Sequence, residues 1–113
     1  MIPRKNLETY DIFEGNELKI AQKIQQRRLQ LLIHSYLYYE EDVNIISDHT
    51  WNKWAVELVN LQKKYPEIAE KVIYSEQFMD WDGSSGAYFT YDEPTIYRAK
   101  FLLMQNQKKG ARI

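Results

Sequence analysis

The sequence predicts a mostly α fold, a small helical domain built on a long antiparallel helix hairpin with a short helix and a C-terminal helix. Two observations predict it. Apolar residues recur at helical spacing in two long segments, and cap-type residues (Asn16, Ser47 or Asp48, Asp92 or Glu93) stand immediately ahead of helical segments. Turn-forming residues collect between Ser75 and Tyr91. A chain of 113 residues, 44% apolar and 14% aromatic, fits a single domain, 1–113, able to bury one ordinary core.

Met1 to Gly15 read as an irregular or short-helical lead. Asn16 is placed to cap a helix running to about Glu41. Its first half carries Ile20, Ala21, Ile24 and Leu31 on one face, with Gln25, Gln26, Arg27 and Arg28 as the solvated side. From Leu29 to Tyr39 apolar residues surround the axis, which puts this half at the centre of the fold. Glu40 to Ile46 form a connection. Ser47 or Asp48 then caps a second helix to about Lys64, with Trp51, Trp54, Ala55, Leu58, Leu61 and Gln62 on one stripe. Pro66 suits the first turn of a third helix, Glu67 to Tyr74. The 75–91 stretch, with Asp82-Gly83-Ser84-Ser85-Gly86 at its centre, reads as a loop. A last helix carries Pro94 in its first turn, with Gly110 as its stop and a basic tail over 108–113.

A net charge of −1 gives no global attraction for nucleic acid or an anionic membrane, so no strong nucleic-acid binding is expected. No cysteine is present, which removes disulfide and thiolate chemistry and points to a reducing, cytoplasmic setting. With two histidines and no cysteine, a structural zinc site is not expected. The N-terminus lacks the apolar core of a signal peptide, and no apolar run approaches the roughly 20 residues that span a bilayer. Neither His34 nor His49 has a serine or cysteine nucleophile beside it. Counting from Asp80, position twelve is Tyr91, so the acidic segment is no EF-hand, and its glycines precede no Lys-Ser/Thr of a phosphate loop. From spacing alone, Tyr38, Tyr39 and Trp51 read as core aromatics, Asp48 as a helix cap, and Asn52 as a solvated first-turn residue. Lys23, Arg27 and Arg28 read as a solvated basic stripe.

One segment is more specific. His34 to Ile68 reads HSYLYYEEDVNIISDHTWNKWAVELVNLQKKYPEI. It resembles the N-terminal Ia domain of bacterial NAD-dependent DNA ligases over about a third of the chain. That pattern has a tyrosine-rich helix end, an acidic loop, I-S/P-D-A-E-Y-D-x-L, and an amphipathic helix ending in H-P-E-L. Here Tyr36-Leu37-Tyr38-Tyr39, Asp42, Ile46-Ser47-Asp48, Trp51-Asn52 and Tyr65-Pro66-Glu67-Ile68 follow it without a gap. The resemblance implies a site for the nicotinamide mononucleotide half of NAD, made by Tyr38, Tyr39, Asp48, Trp51 and Asn52. Trp51 stands where the family has tyrosine, keeping a stacking face but losing a hydroxyl. Asn52 stands where it has aspartate, losing a charge opposite the cationic ring.

The family's adenylation motif, K-x-D-G, has only Asp80-Trp81-Asp82-Gly83 as a counterpart, with aspartate in the nucleophile's place. The expectation is therefore a free-standing, non-catalytic, phage- or prophage-type relative. It requires no cofactor, and NAD or nicotinamide mononucleotide is its candidate ligand. Two alternatives stand beside it: a protein-interaction module acting on a host or phage DNA-processing or defence protein, and an accessory supplying an Ia domain to a separate adenylating enzyme.

Overall fold

The computed structural model describes residues 13–111, with side chains described through Lys108. The sequence's lead, apart from residues 13–15, and the last two residues of its basic tail lie outside them. Helices α1 (Asn16–Glu40), α2 (Asp48–Lys64), α3 (Pro66–Lys71), α4 (Ser75–Phe78) and α5 (Glu93–Ala111) follow in chain order, and no strand occurs among the described residues. The expected mostly α fold is what forms. No described helix is long and apolar enough to cross a membrane.

Pairing between α1 and α2 runs in opposite directions. Arg27 meets Glu57 and His34 meets Trp54, so the two helices are antiparallel, as the hairpin predicts. Both also pack on α3, and α5 lies against α1. Ala21, Ile24, Leu31, Leu32, Ala55 and Leu58 form the main core with Ala69, Val72 and Phe78. Fully burying each large aliphatic or aromatic side chain contributes roughly 1.5–3 kcal/mol. A second cluster, Tyr36, Leu37 and Ala99, joins α1 to α5.

Several local expectations change. Gly15, at φ 58°, occupies the cap position, and Asn16 is the first helical residue. The third helix stops at Lys71 because Val72 is extended (ψ 145°) and Tyr74 is left-handed (φ 72°). Part of the expected loop, Ser75–Phe78, is a helical turn. The last helix runs past Gly110 to Ala111.

The largest correction concerns Arg28, which is fully buried rather than solvated. It falls on the stripe Ala21, Ile24, Arg28, Leu31, Leu32, Ser35 that α1 turns inward. Its guanidinium donates to Gln62 Oε1 at 2.8 and 3.0 Å, and to the carbonyls of Ala69 (3.0 Å), Val72 (2.9 Å) and Ile73 (3.1 Å). The Val72 and Ile73 carbonyls lie just past the end of α3 and Arg28 donates to both, while Ala69 O also accepts from Val72 N at 3.3 Å. Burial pulls its pKa down to about 10, which leaves it charged at neutral pH. Arg27 is also drawn in, its side chain only 14% exposed, paired with Glu57 at 2.7 Å and lying over Trp54.

Candidate functional site

The end of α1 and the start of α2 converge because the connection between them is tied down. Glu41 and Val43 both donate backbone N–H groups to Leu37 O, at 3.2 and 2.9 Å, and Asp42 turns the chain at φ 54°. Val43 and Ile45 then pack on the Tyr36–Leu37 cluster. Ser47 caps α2: its Oγ accepts from Thr50 N at 3.1 Å and donates to Thr50 Oγ1 at 3.0 Å. Asp48 is thus released from capping. It stands exposed in the first turn, where the helix dipole favours a carboxylate.

This convergence leaves a cavity of about 300 Å³, at the lower end of the range for small-molecule pockets. Tyr38, Tyr39, Asp48, Trp51 and Asn52, the five residues singled out in the sequence, all line it. Tyr38 and Tyr39 are 53% and 46% exposed, so their rings are rim groups rather than core. They meet edge to face with centroids 4.8 Å apart. Trp51 is half-buried and packs edge to face on Trp81 at 5.9 Å.

Other lining residues were not anticipated. His34 and Ser35 come from α1, while Ser84, Ser85 and Gly86 come from the loop after α4. The Asp82-Gly83 corner is a turn, as its composition predicts. Asp82 Oδ1 accepts from Ser84 N (2.9 Å) and Ser84 Oγ (2.6 Å), and Gly83 adopts φ 85°. Those Ser84 hydrogen bonds hold the Asp82 carboxyl below its usual pKa. What composition does not reveal is where this turn sits. Trp81 packs on Phe78 and Phe89, and its Nε1 donates to Ser85 O at 2.8 Å. That anchorage swings Ser84–Gly86 across the pocket as a strap.

The electrostatics of the cavity are simple. Among the described residues Asp48 is the only carboxylate lining it and no lysine or arginine lines it, and burial lowers the pKa of His34, which favours its neutral ring. The lining therefore offers a counter-charge to a cationic or neutral group placed beside Asp48. Among the described residues, no group of three or more His, Asp or Glu side chains is placed to hold a metal ion.

Residues 17–71 match the family model described as DNA ligase-like, N-terminal NAD+-binding domain. This segment belongs to the ligase Ia-type family. It takes in α1, α2, α3 and every α1–α2 residue of the cavity, whereas the strap lies beyond it. A DNA ligase of Pseudothermotoga lettingae is 32% identical over 94 residues, covering 68% of this chain and 13% of the ligase. A DNA ligase of Fervidobacterium nodosum is 36% identical over 50 residues, covering 44% of this chain and 7% of the ligase. The chain thus spans only a small part of the ligases it matches. No solved structure matches it significantly.

Proposed function

We propose that this Ia-type domain binds the nicotinamide mononucleotide part of NAD without catalysing a reaction on it. One observation carries the reading: Tyr38, Tyr39, Asp48, Trp51 and Asn52 share one open cavity with a carboxylate and, among the described residues, no cationic side chain. Exposed rings offer faces on which a flat pyridinium stacks, and Asp48 offers the opposite charge. The Asn52 substitution lowers the negative charge relative to the family pattern, which predicts weaker binding rather than none. The non-catalytic part of the reading rests on Asp80-Trp81-Asp82-Gly83, the string in this sequence nearest to K-x-D-G, which has aspartate where that motif has its nucleophilic lysine.

Titration with nicotinamide mononucleotide, followed by tryptophan fluorescence, tests this. Quenching that saturates in the parent and disappears in Trp51→Ala is expected. No change at millimolar ligand would remove the proposal.

A second reading is favoured by a different surface. Tyr97, Phe101 and Met104 recur at helical spacing on α5 and are 72%, 52% and 54% exposed. Such a stripe suits a partner protein, of host or phage origin. Capture of one bacterial protein by the parent and by Trp51→Ala, but not by Phe101→Ser, would support an α5 interface. Equal capture by all three would exclude it.

A further inference from the structure

Ser35 is the one buried polar side chain of the described residues whose oxygen has no hydrogen-bond partner. It is 2% exposed and lines the cavity. Gly86 of the strap lies directly on it: a Cβ added at Gly86 would collide with Ser35 Oγ and come within 3.3 Å of Trp51 Cζ2. An unpaired buried hydroxyl is costly and rare in a folded protein, so its position calls for a reason. Here the orphan sits on the cavity wall, beside the half-buried Trp51 and at the seam with a strap from outside the family segment.

We propose that Ser35, which Gly86 of the Ser84–Gly86 strap covers, reads a neutral polar substituent on the flat ligand that this pocket takes once the strap gives way to it. The proposal rests on the nicotinamide-nucleotide reading and deepens it. A serine hydroxyl both donates and accepts, so it matches a carboxamide, which presents one carbonyl and two N–H groups. The strap supplies further small polar groups, Ser84 and Ser85, and no charge. Absence of a bulky side chain at position 86 lets the strap backbone approach ligand and hydroxyl together. The site thus combines a stacking rim and a carboxylate from the Ia-type segment with a neutral recognition wall from the loop after α4.

The test compares the full chain with Ser35→Ala and Gly86→Ala. The probes are nicotinamide mononucleotide and its analogue with hydrogen in place of the carboxamide. Thermal melting is recorded for each protein without ligand. Ser35→Ala is expected to melt at or above the parent's temperature, because it removes an unpaired group, yet to bind nicotinamide mononucleotide roughly three- to tenfold more weakly. The carboxamide-free analogue should bind parent and Ser35→Ala equally. Gly86→Ala should weaken binding in the parent and less so when combined with Ser35→Ala, since the clash is with that hydroxyl. Parent binding that Ser35→Ala leaves unchanged would overturn this inference and leave the nucleotide reading standing. A lowered melting temperature for Ser35→Ala would make the hydroxyl structural and also overturn it. No binding by the parent would remove both.

Discussion

Two turns of α1 separate Arg28 from Ser35, and both lie on the inward stripe of that helix. Around Arg28 the oxygens of Gln62, Ala69, Val72 and Ile73 converge on one guanidinium, and Gln62 Nε2 passes the network on to Phe78 O at 2.8 Å. Around Ser35 the hydroxyl is unpaired, and the neighbouring Tyr38, Tyr39, Asp48 and Asn52 remain exposed. One end of the hairpin has spent its polar capacity on folding, and the other has kept it. Burial alone does not separate a structural polar residue from a recognition residue. The difference lies in whether its partners are already in the chain.

That contrast breaks most visibly at Arg28. Arg28→Ala would take the guanidinium from Gln62 Oε1 and from the Val72 and Ile73 carbonyls and open a cavity, with an expected loss of roughly 3–5 kcal/mol in urea denaturation. A loss under about 1 kcal/mol would show that water replaces the guanidinium and that the two ends do not differ as described.

At the open end, the expected effects are on ligand rather than fold. Asn52→Asp returns a carboxylate to an exposed wall position, so it should tighten nicotinamide mononucleotide by a few-fold to about tenfold. Calorimetric titration checks this, and no change in folding stability beyond about 0.5 kcal/mol should accompany it.

The smallest effect is a pH slope. His34 titrates below its ordinary value because burial penalises the cation. Above the unfolded value, near 6.5, both states are neutral and the full stability is present. As pH falls from there through the folded pKa, the unfolded chain takes up more protons and stability declines. His34→Gln should flatten that slope in urea midpoints measured between pH 7 and 5.

Sequence and structure agree where the information is local. The Ser47 cap, Pro66 at a first turn and the helical stripe of α2 are short-range signals, and they place the hairpin and its converging ends. The tyrosines, Asp48, Trp51 and Asn52 meet because those ends meet. Arg28 was readable by position, since it shares a face with Ile24 and Leu31, but its charge suggested solvent. The carbonyls gathered at the end of α3, together with Gln62 Oε1, make its burial tolerable. The Asp82-Gly83 turn was equally readable as a turn. Its seat on Ser35 was not, because that depends on Phe78, Trp81 and Phe89 packing together far from Ser35 in sequence.

The central claim, that the open end of the hairpin is a nicotinamide-nucleotide site, is tested most directly by backbone amide NMR shifts during titration with nicotinamide mononucleotide. Saturable shifts concentrated at Ser35–Tyr39, Ser47–Asn52 and Ser84–Gly86, with Arg28 and its partners unmoved, are the predicted result. Shifts confined to α5, or none at millimolar nucleotide, would contradict it.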